Sequence, residues 1–162
     1  MGHTFYLGTK YSSIFNANYM PANDPSTLIP IHMGCYGLGI SRMIAAIAQV
    51  SQDEAGIIWP ELVAPWNCIV IQGKSGGGER VYDAIASVLG EDNVLLDDRT
   101  QFSAGWKIRD AVKIGYPHIV VLGRTWEESG LIEVIHRRSG ETQHIESGAL
   151  LDPRFWKKNS GS

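Results

Sequence analysis

WNCIVIQGKSGGGERVYDAIASVLGEDNVLLDDR (Trp66–Arg99) is the stretch whose reading decides the fold. Trp66 to Gln72 is a short apolar run closed by glycine, which predicts a strand. Glu79 to Leu89 places Val81, Ile85, Val88 and Leu89 on one helical face. Asn93 to Leu96 reads as the next strand. The rhythm continues downstream. Ala104 to Ile114 is an expected helix, with Ser103 as its N-cap and Gly115 just past its end. His118–Leu122, Leu131–Arg137 and Thr142–Ile145 read as strands. Strands alternating with helices predict βαβ units, a mostly parallel sheet and an α/β class.

The first third differs. His3 to Gly8 reads as a strand, Asn16 to Thr27 as a loop with two prolines, and Leu28 to Met33 as a second strand. A glycine cluster (Gly34, Gly37, Gly39) leads into a helix over Ile40–Val50, with Ser41 as a candidate cap. Residues 51–65 form a connector bracketed by Pro60 and Pro65, and the domain boundary is placed between residues 62 and 63. Residues 1–62 resemble the end of an antiparallel sheet and have too few elements to close a core. Residues 1–36 are therefore expected to pack poorly and expose apolar surface. Residues 63–152 suffice for a small α/β domain, and residues 153–162 read as a polar tail.

The chain has 162 residues, 44% hydrophobic and 19% charged, a globular composition. No apolar run approaches bilayer-spanning length, so no membrane association is expected. Cys35 and Cys68 are too few for a disulfide framework or a cysteine zinc site. A net charge of -3 excludes a strongly basic nucleic-acid coat but not a local basic patch. His32, His118, His136 and His144 show no ligand-like spacing, and no protein-bound metal is expected.

Gly37-x-Gly39-x-x-Arg42 is the strongest chemical signal. Glycine lets backbone approach a ligand, and an arginine in a first helical turn offers a planar cation to phosphate or base. A tight strand-to-helix turn carrying a surface arginine is the alternative. Arg42 stands where a dinucleotide fingerprint needs its third glycine. Gly73-Lys74-Ser75-Gly76-Gly77-Gly78 inverts the order of a phosphate-binding loop and reads as an exposed loop.

Four segments in series resemble prolyl-tRNA synthetases of the bacterial and mitochondrial type, members of class II. MGCYGLGISR (Met33–Arg42) is similar to motif 3, and GHTFYLGTKYS (Gly2–Ser12) to the preceding active-site strand. GIIWPELVAP (Gly56–Pro65) resembles the junction to the anticodon-binding domain. Leu95–Arg99 and Gly105–Gly123 resemble the centre of that domain. The resemblance implies an α/β anticodon-binding domain with a mixed five-stranded sheet, preceded by the last strands and the motif 3 helix of a class II antiparallel sheet.

It also implies a reaction: activation of proline with ATP and Mg2+, then transfer to tRNA(Pro), in a full-length enzyme expected to be a homodimer. By resemblance, Arg42 is the catalytic motif 3 arginine and binds ATP together with Gly37 and Gly39. His3, Phe5, Gly34 and Cys35 border the proline pocket; a sheet histidine and a small buried thiol are the alternatives for His3 and Cys35. Asp98, Arg99, Lys107 and Arg109 are the candidates for tRNA anticodon contact, since arginine pairs bidentately with guanine and carboxylates accept from base amino groups. An Arg99–carboxylate ion pair on a solvated helix is the other reading. Segments resembling motifs 1 and 2 are absent, so the chain alone is expected not to form prolyl-adenylate. The rival function is a non-catalytic tRNA- or RNA-binding module. The implied compartment is the cytoplasm for a bacterial gene and the mitochondrial matrix for a eukaryotic one.

Overall fold

The computed structural model describes residues 1–158. The chain divides into two compact units, Met1–Ala46 and Ile47–Ser162.

In the first unit, β1 (Gly2–Gly8) is followed by the short helix α1 (Ser12–Phe15). The two-residue strands β2 (Asn18–Tyr19) and β3 (Ile29–Pro30) pair antiparallel. β4 (Met33–Leu38) returns antiparallel to β1, with Gly37 opposite His3 and Cys35 opposite Phe5. α2 spans Ile40–Val50. Three local expectations change here. The strand read at Leu28–Met33 becomes β3 and the start of β4, because Pro30 supplies no amide for a longer ladder. Gly34 and Gly37 of the glycine cluster lie within a strand rather than in the link between a strand and the helix, with β4 paired along β1. Ser41 lies inside α2, not at its cap. Ser12 is the buried residue of residues 1–46, while Tyr36, Tyr6 and Leu38 are 81%, 78% and 73% exposed. A two-stranded ribbon has no second layer of its own to cover its faces.

The second unit is a mixed five-stranded sheet of order β6-β5-β7-β8-β9. Its strands are β5 (Cys68–Gln72), β6 (Val94–Asp97), β7 (His118–Leu122), β8 (Ile132–His136) and β9 (Glu141–Ile145). β5 runs parallel to both β6 and β7; β8 and β9 continue antiparallel. The central strands CIVIQ and HIVVL are apolar on both faces, as a doubly covered position demands. Alternation along β5 sends Cys68 and Val70 to one face and Ile69 and Ile71 to the other. α3 (Gly78–Leu89) covers the first face with Val81 and Ile85, joined by Leu150 and Trp156. α4 (Ala104–Ile114) covers the second with Ala111. Each fully buried Ile or Leu here contributes about 1.5–3 kcal/mol.

α4 starts and stops as expected: Ser103 Oγ accepts from the Trp106 amide at 3.3 Å, and Gly115 ends the helix with φ 97°. Two further helices have no strong sequence signal: α5 (Arg124–Ser129) and α6 (Pro153–Lys158). The expected polar tail thus begins as a helix whose Trp156 is buried and donates Nε1–H to the Leu150 carbonyl at 3.0 Å. The rest of that tail, residues 159–162, lies outside the described residues.

The connector docks on the second unit. Asp53 Oδ1 accepts the amides of Ala55 and Gly56 at 2.8 and 2.9 Å, and its Oδ2 takes Arg137 at 2.9 Å. Trp59 Nε1 donates to the Ile114 carbonyl at 2.9 Å. Glu61 Oε1 sits 3.2 Å from His118 Nε2. These bonds place residues 51–62 with the compact unit that begins at Ile47.

Candidate functional site

Two groups of sequence-selected residues occupy separate units. In the first unit, Arg42 in the first turn of α2 points a guanidinium Nη1 to within 3.4 Å of His3 Nε2. Both side chains are exposed. A Cβ built at Gly37 meets nothing within 4 Å, while one at Gly39 touches Arg42 Cδ at 3.4 Å. The ribbon thus brings Arg42, His3, Gly37 and Gly39 together. Phe5, Gly34 and Cys35 sit on the neighbouring register positions. Phe5 and Gly34 line an open depression of about 390 Å³ with Tyr6, His32 and Tyr36. Cys35 is an exposed free thiol, not a buried one. Arg42 and the glycine-floored strand fit a polyphosphate: a cation stands beside backbone that side chains leave open. Asp24 is the sole carboxylate of residues 1–46, and it accepts from Ser26 and Thr27 hydroxyls at 2.6 Å.

In the second unit, the loops after β5 and β6 leave to opposite faces, toward α3 and α4. That arrangement opens a crevice at the carboxyl ends of parallel strands. A cleft of about 610 Å³ lies there. Lys74, on the loop after β5, forms one lip; Asp98, Gln101 and Phe102, after β6, form the other; Arg124 and Glu127 of α5 close the third side. Lys74, Asp98, Gln101, Phe102, Arg124 and Glu127 are all exposed.

Beneath the cleft is a dense ionic cluster. Asp97 is 4% exposed and takes Arg99 in a fork, Nε to Oδ1 at 3.0 Å and Nη2 to Oδ2 at 2.7 Å. Arg99 Nη2 also donates to Asp110 Oδ2 at 2.8 Å. The guanidinium lies 5.6 and 5.2 Å from the ring centres of Phe102 and Trp106, which stack at 4.0 Å. Lys107 is 3% exposed. Its Nζ donates to the carbonyls of Gln72 at 3.2 Å and Asp97 at 3.0 Å and lies 3.5 Å from Asp97 Oδ1. Burial pushes the Asp97 carboxyl up. The side-chain and backbone hydrogen bonds from Arg99 and the charges of Lys107 and Arg99 outweigh it, holding Asp97 below the usual carboxylate range. Arg99 is raised by its hydrogen bonds to Asp97 and then to Asp110.

Of the four candidates for anticodon contact, only Asp98 faces the cleft with its side chain exposed. Arg99 is half spent on carboxylates, as the ion-pair reading has it. Lys107 lines the cleft only from below. Arg109 is exposed on α4 in a separate shallow groove with Trp106, Asp110 and Lys113. Sequence reading passed over Lys74, Gln101, Phe102 and Arg124. Lys74 carried a usable signal, a lysine in a glycine loop after a buried strand; Arg124 carried none, because its helix was not visible.

The sequence pattern of the anticodon binding domain matches residues 68–152. The chain belongs to that family. The anticodon-binding domain defined by this match contains all of the cleft. Among relatives, a probable mitochondrial proline–tRNA ligase of Schizosaccharomyces pombe is 46% identical over 153 residues, covering 93% of this chain and 35% of the relative. A proline–tRNA ligase of Ehrlichia ruminantium is 42% identical over 154 residues, covering 94% and 35%. The chain therefore spans about 35% of the length of these relatives. In fold, it matches prolyl-tRNA synthetase from Cryptosporidium parvum complexed with L-proline and AMP, with a TM-score of 0.75 and 20% identity, over 98% of this chain and 35% of that one. The mixed five-stranded sheet expected for an anticodon-binding domain is the sheet observed. Among the described residues, no group of three or more His, Cys, Asp or Glu is arranged to hold a metal, and no helix is long and apolar enough to cross a membrane.

Proposed function

We propose that this chain serves proline–tRNA ligation, its α/β unit binding the anticodon loop of tRNA(Pro) and its β-ribbon contributing Arg42 to ATP binding. The observation that carries the first part is the cleft at the carboxyl ends of β5, β6 and β7, inside the family match. It offers Lys74 and Arg124 to phosphates, Phe102 to a stacked base, and Asp98 and Gln101 to base edges. Unstacked anticodon bases are read by such edge contacts and stacking. Consecutive guanines, as in the tRNA(Pro) anticodon, present amino groups that a carboxylate accepts.

The second part rests on Arg42, Gly37 and Gly39 lying side by side, with an open approach over Gly37. ATP and Mg2+ are substrates of the whole reaction; this chain's share is the cation on α2 and the bare strand beside it. Phe5, Gly34 and Cys35 are read as the border of the proline site. A homodimer of the full-length enzyme is carried from the resemblance, and mitochondrial and bacterial relatives support a mitochondrial or bacterial cytoplasmic compartment.

The test is binding of an RNA hairpin carrying the proline anticodon, by fluorescence anisotropy. Lys74→Ala and Arg124→Ala should each weaken binding about tenfold. Arg138→Ala, exposed at the turn between β8 and β9, should leave it unchanged. Equal losses for all three would mean diffuse charge attraction and defeat the cleft reading. A non-catalytic RNA-binding module would pass this test but would show no ATP dependence in proline activation when restored to its full-length context.

A further inference from the structure

We propose that Lys107 is a positioning residue that keys both lips of the cleft to one buried ammonium, and that it does not itself read the RNA. This inference rests on the cleft being the RNA site. The geometry starts at two strand ends. Gln72 ends β5 and Asp97 ends β6, and their strands are paired neighbours. The Lys107 ammonium donates to both main-chain carbonyls and faces the Asp97 carboxylate. Two hydrogen bonds to carbonyls and an ion pair with Asp97 thus engage the ammonium, and at 3% exposure it is closed to a ligand.

From each acceptor a further bond runs outward to a lip. The Gln72 side-chain Oε1 accepts the Gly78 amide at 2.9 Å, which closes the loop carrying Lys74 against the start of α3. The Gly73 amide, at the root of the same loop, donates to the Leu122 carbonyl at 3.0 Å. On the other side, Asp97 accepts the Arg99 backbone amide at 3.1 Å as well as its guanidinium fork. Arg99 then reaches Asp110 on α4 and covers the Phe102–Trp106 stack. The loop presenting Asp98, Gln101 and Phe102 is therefore pinned at its base. A cleft whose readers sit on two loops needs those loops held in register, and a buried charge bonded to the root of each loop is a stiff way to hold them.

The experiment uses the whole chain and two RNA hairpins, one with two consecutive guanines in its loop and one with both replaced by adenine. Lys107→Met keeps the length of the side chain and removes its charge. It should weaken binding to the guanine hairpin about tenfold and erase preference over the adenine hairpin. Its log affinity against log salt slope should match that of the unaltered chain. Lys74→Ala, by contrast, should weaken both hairpins alike and make the slope shallower by about 0.7, the loss of one phosphate contact to a single strand. Amide hydrogen exchange in Lys107→Met should quicken in residues 73–77 and 98–103 together, while β8 stays protected.

A shallower salt slope in Lys107→Met would show a phosphate contact and overturn the proposal. So would unchanged exchange in both loops. Should Lys107→Met fail to fold, Arg99→Lys takes its place: exchange should quicken in 98–103 alone, and quickening of neither loop or of both overturns the proposal. If Lys74→Ala and Arg124→Ala leave binding untouched, the cleft reading fails instead, and the exchange result still decides how the loops are held.

Discussion

The β-ribbon and the α/β unit handle their cations in opposite ways. Arg42 stands exposed on α2, 3.4 Å from His3 of the ribbon. Lys107 is sealed under the cleft with three acceptors, and Arg99 is forked between two carboxylates. The difference follows from layers. Two strands have no interior of their own, so their polar groups stay in water and remain available to a ligand. Five strands covered on both faces have an interior, and a charge placed there must be fully paired. A positive charge singled out in sequence is thus left in water in one setting and made a structural tie in the other.

The largest expected effect breaks that tie. Asp97→Ala leaves the buried ammonium without its carboxylate and should cost about 4 kcal/mol in urea unfolding. Next, Ile85→Ala opens a cavity in the core face under α3 and should cost about 3 kcal/mol, whereas Tyr36→Ala on the ribbon should stay within about 0.5 kcal/mol. Equal costs for the last two would erase the contrast between the units.

A third effect is read by pH. His118 and His136 are opposed in register across β7 and β8, with Nδ1 atoms 3.0 Å apart. Burial, then the neighbouring His118 charge, lowers His136 from 6.5 to about 4, against a smaller pull upward from Glu61. Between those values the unfolded chain binds a proton that the folded chain refuses. Stability should therefore fall as pH drops from about 6.5 toward about 4, by up to about 3 kcal/mol, and be flat above that window as far as this group is concerned. His136→Phe should reduce the slope; an unchanged slope would assign the acid sensitivity to other groups.

Smaller still, Gly115→Ala should cost about 2 kcal/mol, because φ is 97° and the new Cβ would lie 2.7 Å from the Ile57 carbonyl. That cost would show the connector to be part of the α/β unit. Arg42→Ala should leave unfolding unchanged within about 0.5 kcal/mol.

Much of this fold was legible from periodicity. Strands apolar on both faces, the stripe of Val81 and Ile85, and the Ser103 and Gly115 boundaries of α4 are local patterns with local causes. α5 and α6 were not legible: six residues such as Arg124–Ser129 carry too short a period to register, and Trp156 becomes a core residue only because the sheet is there to receive it. The site was legible in part. Asp98 and the glycine–arginine cluster stood out, but Arg99 and Lys107 read as ligand-facing cations. Sequence records that a residue is charged, not how much water surrounds it.

The order of residues by itself determined the class of fold, the caps of α4 and the resemblance to prolyl-tRNA synthetases, since each depends on neighbours a few positions apart. Tertiary structure alone decided which cations stay exposed and which are sealed. Gln72 lies 35 residues from Lys107 and meets it and Asp97 only after β5 and β6 pair and α4 folds back across them, and burial then fixes what the two charges can do.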